Sequence, residues 1–353
     1  MLINSAISFF VFAMLFVVFG MPQTIKKAGP IVWGTWLYFN IMLLWAGFSP
    51  YWTGELPLVA GFHVSRTNAA QMLFYLWAIV LLLDKMKTET AIRYLKLFLF
   101  LFAMVDLGGL YYNKIYGGHR FLMDAYTFDN AFILIAFYLF VTSIRHTNKS
   151  LVIYWSLLGL IVWMGGDTMR LCGLVGIWAA VYWQCYANGV SVWWRSTYLV
   201  ASGVVGFFGV QYFTSLTTAQ SRFEIWSTHI TPMFSNWKTL VFGHGGGYFE
   251  WQGLVRKIEG VRYVIMHNDF LQIFYEFGAV GLGVFSIFCL YVLYRLKDRP
   301  HVFVAACMYL TMMTVYYPLH FAASVLLAVV ILAEFQAAVR ARTFPPPKYG
   351  YSL

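Results

Sequence analysis

The sequence predicts an all-α protein, a polytopic bundle of membrane-spanning helices. Of its 353 residues 61% are hydrophobic and 11% are charged, whereas soluble domains have about 45–50% apolar and about 25% charged residues. Aromatic residues make up 20% of the chain, and Trp and Tyr collect where hydrocarbon meets lipid headgroups. Apolar runs of the length that crosses a bilayer, about 20 residues, recur along the sequence. This composition excludes a water-soluble globular enzyme.

Apolar runs separated by charged residues or by Gly and Pro predict eleven spans, with twelve as the alternative. The predicted spans are 2–21, 30–47, 67–84, 94–110, 128–144, 151–166, 169–187, 197–214, 269–294, 301–319 and 321–339. The first run has no basic residue before it and no small-residue cleavage site, so we expect it to remain as a span. The chain then divides into a membrane bundle over 1–214, a long helical loop over 215–268, and the last three spans with a tail over 269–353.

The distribution of Lys and Arg predicts the orientation. Short loops place fifteen of them on one side and three on the other, when Arg170 and the long loop are set aside. The basic side of a membrane protein is cytoplasmic, and the fifteen include Arg195, Lys297 and Arg299. With an odd number of spans, the long loop lies outside. We therefore expect a multi-pass protein of a bacterial inner membrane, with the loop in the periplasm.

The long loop contains most of the candidate functional residues outside the spans. Its cations include Arg222, Arg256, Lys257 and Arg262. Four glycines within the run of residues 243–247, Gly243, Gly245, Gly246 and Gly247, let the backbone turn sharply and direct N–H groups at an anion or a sugar. The alternative is a tight turn between two helices of the loop.

His267 and Asn268 precede the ninth span, with Gly278 and Gly281 further along it. On a continuous helix both glycines lie within about 40° of the face of His267, where they let a neighbouring helix approach closely. Glu276 lies on the opposite side. His267 is therefore a candidate catalytic residue at the outer end of the span, with a structural interface role as the alternative.

Arg170 follows Asp167, which is placed to cap the seventh span. A cation at the positive end of a helix favours an additional anionic partner, although pairing with Asp167 and snorkelling to the interface is the alternative. The chain has no D-x-D pair and no metal-ligand spacing, so we expect neither a metal nor another cofactor. The four cysteines are scattered through apolar runs without C-x-x-C spacing, and we expect them to be packing residues.

These residues resemble a known family. His267-Asn268, nine residues, Gly278, two residues and Gly281 match the His motif of bacterial O-antigen ligases at every specified position. Arg170 followed by Leu174 resembles the R-x3-L element of that family. The stretch from Arg222 to Trp226, followed by glycines 243, 245 and 247 and by Phe249, is similar to the region before that His in the wider ligase and polymerase superfamily. The resemblance covers residues 166–285.

The resemblance implies a GT-C-like, metal-independent glycosyltransferase. Its donor is a glycan on undecaprenyl pyrophosphate, and its acceptor is a hydroxyl group of lipid A-core or of a lipid-linked glycan at the periplasmic face. His267 is then the catalytic base, while Arg170 and Arg222 stabilise the leaving phosphates. Substrate binding is assigned to Asn268, the loop glycines Gly243, Gly245 and Gly247, and the rim cations Arg256, Lys257 and Arg262, for which a solvated loop face is the alternative.

Several functions remain compatible with these motifs. We favour an O-antigen ligase of lipopolysaccharide biosynthesis, because both elements described for ligases are intact. A Wzy-type polymerase and a protein O-oligosaccharyltransferase share the same chemistry. A lipid-linked glycan transporter would show polar residues through the bundle and two related halves, and the sequence shows neither. The expected partners are the glycan donor, the acceptor and membrane lipids, and nucleic acid is not among them.

Overall fold

The computed structural model describes residues 27, 29–45, 76–77, 79–80, 82–84, 89–116, 130–144, 167–214, 217–246, 248–249, 266–315, 318–320 and 322–343. All regular elements in these ranges are helical, in agreement with the predicted all-α class. The α-helices are α1 (Pro30–Trp45), α2 (Glu89–Tyr116), α3 (Asn130–Ile144), α4 (Asp167–Ala187), α5 (Val192–Thr214), α6 (Thr217–Ile230), α7 (Trp237–Phe242), α8 (Asp269–Leu296), α9 (Pro300–Val315) and α10 (Ala322–Thr343). Two 3-10 turns cover Thr231–Ser235 and Pro318–His320.

Eight of the predicted spans coincide with α1–α5 and α8–α10. The spans at 2–21 and 151–166 lie outside the described residues, and the span at 67–84 is helical where it is described. In the described part of the chain, one helix is long and apolar enough to cross a membrane. This is α8, which has 28 residues and contains an 18-residue stretch with a mean hydropathy of 2.0. The eleven-span count stays a prediction.

The chain forms two compact units. Unit 1 contains residues 1–84 and 202–290, and unit 2 contains residues 85–201 and 291–353. Each unit combines an early and a late part of the chain, and two of the three boundaries fall inside α5 and α8. The division at 214 and 268 expected from sequence order stays a prediction.

Unit 2 is a helical bundle built around α3, which packs against α2, α4, α9 and α10. The sequence of α3 is apolar on all sides, as expected for a helix surrounded by others. Phe132, Ile135 and Leu139 are fully buried in it. Gly176 of α4 has no side chain where it meets Met308 of α9, which allows these two helices to approach closely.

A charged cluster joins three elements of unit 2. The carboxylate of Glu334 on α10 accepts hydrogen bonds from Lys96 of α2 and from Arg299, which immediately precedes α9. Lys96 is only 7% exposed. Removing either neighbouring cation would leave a buried carboxylate less compensated, so the cluster fixes these elements relative to one another. No sequence motif surrounds Glu334.

In unit 1, α1 packs against α8 through aromatic rings. Phe39 makes edge-to-face contacts with Phe277 and Phe285. The Tyr38 hydroxyl donates to the carbonyl oxygen of Phe277 at 3.4 Å. A side chain on Gly281 would press on the Tyr38 hydroxyl and on Phe277, so the glycine permits this close approach.

Helix α8 is interrupted at Gly278, whose φ of 67° and ψ of −170° are not helical. The angles from His267 to Gly278 and Gly281 were counted along one continuous helix, and this was wrong although the predicted span starts at the correct residue. The helix begins at Asp269, after His267, and its direction changes at Gly278. The expected alignment of His267 with Gly278 and Gly281 therefore does not apply, because each angle was counted through residues that are not helical.

Residues 243–245, which follow α7 and which we call the glycine turn, pack against the interruption of α8. The amide of His244 donates to the carbonyl oxygen of Tyr275 at 3.0 Å, and the amide of Gly245 donates to that of Glu276 at 2.8 Å. A side chain on Gly243 would collide with the backbone of Glu276, and one on Gly278 would collide with the backbone of Val241. We call this pairing of residues 243–245 with residues 275–278 the glycine contact.

We predict that Gly278→Ala destabilises the protein strongly, while Gly283→Ala in the same helix does not. Ala at 278 combines a positive φ with a backbone collision, which costs about 2 kcal/mol or more. At Gly283 the added methyl group meets open space. Thermal unfolding of the purified variants measures both effects, and equal midpoints would contradict the importance of the glycine contact.

Candidate functional site

The described part of the long loop belongs to unit 1 and has a core of its own. Helix α6, the 3-10 turn, α7 and the glycine turn follow each other along the chain, and residues 266–268 lead into α8. The loop is therefore helical over its described part, as expected. Its core consists of the buried side chains Ile225, Met233, Tyr248, Phe249, Met266 and Tyr275.

His267 lies in the three-residue segment before α8. Its φ is 53°, and it is the one non-glycine residue of the described chain with a positive φ. Asn268 caps the helix by accepting a hydrogen bond from the amide of Leu271 at 3.0 Å. Met266, on the other side, is completely buried. A strained backbone held between a buried anchor and a helix cap is typical of a functional position.

Helix α6 holds this segment in place. The indole Nε1 of Trp226 donates to the carbonyl oxygen of Met266 at 2.6 Å. Arg222 precedes Trp226 by four residues and therefore lies on the same face of α6. The helix thus directs a hydrogen-bond donor and a cation toward the residues around His267.

The surroundings of His267 keep its ring uncharged. Burial lowers the pKa of His267 to about 4, with a further contribution from the positive charge of Arg222. Because this value lies well below 7, the imidazole is neutral at physiological pH and one ring nitrogen is unprotonated. Arginine side chains carry a permanent positive charge. A neutral base and a permanent cation are therefore neighbours.

The amides of the glycine turn were expected to face a ligand, but they donate hydrogen bonds to carbonyl groups of the protein. The amides of His244 and Gly245 donate to carbonyl oxygens of α8, and that of Gly243 donates to the carbonyl oxygen of Thr239. Their N–H groups consequently do not point at an anion, which corrects that part of the sequence interpretation. Gly247 lies outside the described residues. A substrate-binding role for these glycines stays a prediction.

Two other histidines of the loop are packed among aromatic rings. His244 stacks on Tyr248, with ring centroids 4.9 Å apart, and also contacts Tyr275 at 4.5 Å. His229 makes an edge-to-face contact with Phe249 at 4.8 Å. These ring contacts pack the loop against α8 beside the glycine contact.

The structure brings His267, Arg222 and Asn268 together in unit 1. Arg170 lies in the first turn of α4 in unit 2, and its side chain lies outside the described part. Helix α4 begins at Asp167, and the side chain of this residue also lies outside the described part, so its capping role stays a prediction. The rim cations Arg256, Lys257 and Arg262 also lie outside the described residues, so the roles of Arg170 and of the rim stay predictions.

Two further expectations concern metals and cysteines. In the described ranges, no group of three or more His, Cys, Asp or Glu side chains could hold a metal ion. The absence of a metal requirement stays a prediction. The four cysteines are free, with Cys172 buried and the others partly buried.

In the sequence, Trp226 stands out only as part of a motif, without a role of its own. In the structure it is the residue that anchors the His267 segment through its indole N–H. Arg222 and Trp226 are one helical turn apart, and this spacing was the available signal that both side chains lie on the same face of α6. No spacing indicates that this face meets residue 266, because Met266 lies 40 positions after Trp226.

Compared with models of protein families and with proteins of curated function, the chain gives no match.

We predict that Arg222→Gln raises the pKa of His267 from about 4 part of the way toward its ordinary 6.5. The variant removes the cation but leaves the burial, so the ring becomes protonated at a higher pH as the pH falls. NMR titration of histidine-labelled protein measures this pKa, with the resonance assigned from His267→Gln. Arg222→Lys keeps the charge and serves as the control. An unchanged pKa in Arg222→Gln would contradict the proximity of the two side chains.

Proposed function

We propose that this protein is a multi-pass glycosyltransferase of a bacterial inner membrane. It transfers a glycan from undecaprenyl pyrophosphate to a hydroxyl acceptor at the periplasmic face, and lipid A-core is the favoured acceptor. The observation that carries the proposal is the neutral His267 beside the cationic Arg222, immediately before α8. This helix is long and apolar enough to cross a membrane, which would place the pair at the membrane surface.

The proposed reaction needs one base and at least one cation. The acceptor hydroxyl attacks the anomeric carbon, the bond from that carbon to the pyrophosphate oxygen breaks, and the hydroxyl proton moves to a ring nitrogen of His267. Undecaprenyl pyrophosphate leaves with the bonding electrons, and the protonated His267 afterwards loses its proton to water. Arg222 compensates the negative charge that develops on the leaving phosphates.

The lowered pKa of His267 suits this role in the resting protein. A protonated ring could not accept the hydroxyl proton, and the combined effect of burial and Arg222 prevents protonation at physiological pH. A phosphate beside Arg222 would offset the cation and make the ring more basic when the donor is present. From the sequence motifs alone, we assign Arg170 to donor binding, and Arg256, Lys257 and Arg262 to an electropositive rim.

We favour an O-antigen ligase over the other functions with this chemistry. The preference rests on the intact His and Arg elements of the sequence. A Wzy-type polymerase would use the same base and cations with a lipid-linked glycan as the acceptor. A protein O-oligosaccharyltransferase would use a Ser or Thr hydroxyl group. A transporter needs no base, so the neutral His267 has no role in it.

We predict that His267→Gln removes transfer while the protein remains folded and inserted. Loss of a general base lowers the rate by about 100-fold or more. His301→Gln, in α9 of unit 2, is the matched control and should retain activity. The assay uses purified protein with lipid-linked glycan and acceptor, and near-normal activity of His267→Gln would remove this residue from the mechanism.

We predict that Lys cannot replace Arg at positions 170 and 222. A guanidinium group forms paired hydrogen bonds with phosphate oxygens, whereas an ammonium group acts as a point charge. Donor affinity, measured with undecaprenyl-pyrophosphate glycan, should therefore fall in both Arg170→Lys and Arg222→Lys. Unchanged affinity in both variants would mean that neither arginine contacts the donor.

A deletion strain distinguishes the proposed acceptors. For a ligase, we predict lipid A-core without O-antigen, and long glycan accumulating on undecaprenyl pyrophosphate. Core carrying a single repeat would instead identify a polymerase, and loss of glycan from a secreted protein would identify a protein-directed transferase. Normal profiles of all three would contradict glycosyl transfer and support the transporter.

A further inference from the structure

Unit 2 carries a second group of cations, separate from the residues assigned to transfer. Arg195, in the first turn of α5, and Lys297, directly after α8, both lie over the ring of Tyr186 near the end of α4. The guanidinium carbon is 5.3 Å and the ammonium nitrogen 6.0 Å from the ring centroid. Lys297 also lies 4.4 Å from the ring centroid of Tyr294. We call Tyr186, Arg195, Tyr294 and Lys297 the basic–aromatic cluster.

The cluster is held by the fold. The indole Nε1 of Trp183 donates to the carbonyl oxygen of Lys297 at 2.8 Å, which fixes the turn after α8 against α4. The amide of Arg195 donates to the carbonyl oxygen of Ser191 at 3.1 Å, which fixes the start of α5. Two like charges are therefore kept near one ring, where they repel each other unless an anion lies between them.

The guanidinium of Arg195 has unused donor capacity. Its Nε atom is buried and has no hydrogen-bond partner among the residues that the structure describes. The nearby carboxylates do not neutralise the cluster, because Glu334 accepts from Lys96 and Arg299. The two cations of the cluster, Arg195 and Lys297, outnumber the one remaining acid of the turn, Asp298. The cluster consequently keeps a net positive charge.

The first turn of α5, which carries Arg195, also exposes apolar rings. Trp193 and Trp194 precede Arg195 in this turn, on other faces of the helix, and are 77% and 65% exposed. Exposed tryptophans next to cations are typical of the headgroup level of a bilayer, where the ring contacts acyl chains and the N–H group contacts water or phosphate. Arg195 and Lys297 both belong to the side that the charge bias predicts to be cytoplasmic, and this leaflet carries anionic lipids.

We propose that the basic–aromatic cluster binds the phosphate of an anionic phospholipid in the cytoplasmic leaflet. The phosphate lies between Arg195 and Lys297 and relieves their repulsion, while Trp193 and Trp194 contact the upper part of the acyl chains. The proposal rests on membrane insertion, which is part of the proposed function, and not on glycosyl transfer. Its ligand is a phospholipid rather than free phosphate, because lipid phosphates are the anions that surround an inserted protein at the headgroup level of the cytoplasmic leaflet.

The test measures lipid binding by the purified full-length chain in neutral detergent. Phosphatidylglycerol, phosphatidylcholine or inorganic phosphate is added separately, and bound lipid is counted by native mass spectrometry while unfolding is followed by heating. Saturable binding of phosphatidylglycerol that raises the unfolding midpoint is the expected result. The double variant Arg195→Gln, Lys297→Gln should weaken it by about tenfold or more, whereas Arg93→Gln, an exposed cation of α2, should not.

Every outcome bears on the proposal. Equal effects of phosphatidylglycerol and phosphatidylcholine, an equal effect of inorganic phosphate, or unchanged binding by the double variant would overturn it. If the double variant does not fold, Lys297→Gln alone should weaken binding and Lys297→Arg should restore it. Selective binding without transfer activity would overturn the proposed function alone, and active protein without lipid selectivity would overturn this inference alone.

Discussion

The glycine contact is the constraint on which the rest of unit 1 depends. Gly243 and Gly278 both have positive φ angles and no room for a side chain, so two backbone segments meet directly. The amides of residues 244 and 245 then satisfy carbonyl groups that the interruption of α8 would otherwise leave without helical donors. The long loop is thereby attached to the apolar helix α8 through backbone hydrogen bonds. The first part of α8, with His267 two residues before it, is positioned by this attachment.

From this attachment follows the arrangement around His267. The loop core contains both Met266 and residues of α6, so the segment before α8 and the helix carrying Arg222 are packed as one body. Trp226 adds a directed hydrogen bond within that body. A positive φ at His267 is tolerated because its neighbours are held on both sides. The burial of His267, its positive φ and the nearby charge of Arg222 therefore all affect this one residue.

The sequence predicted the helices well and their local geometry poorly. Runs such as 30–47 and 269–294 end within a few residues of α1 and α8, because continuous hydrophobicity determines both. The interruption at Gly278 was missed because hydrophobicity does not change there, and a glycine in an apolar run signals close packing as readily as a positive φ. The same spacing that matched the His motif suggested a continuous helix.

The candidate site was predictable in its members but not in its contacts. His267, Arg222 and Asn268 were identified from residue type and motif, and the structure places them in one unit. The lowered pKa of His267 depends on burial and on a cation 45 positions earlier in the chain, and neither can be counted from spacing. The hydrogen bonds from the amides of His244 and Gly245 to α8 likewise depend on tertiary contacts. Sequence patterns identify such residues, and packing determines what each one does.

The central claim is that a pyrophosphate binds beside His267 and Arg222. The most direct test is to measure the pKa of His267 by NMR with and without undecaprenyl pyrophosphate. Bound phosphate offsets the charge of Arg222, so the account predicts a pKa that rises from about 4 when the ligand is added. This rise should be absent when undecaprenol replaces the pyrophosphate. A pKa that stays at about 4 in the presence of saturating undecaprenyl pyrophosphate would contradict the account.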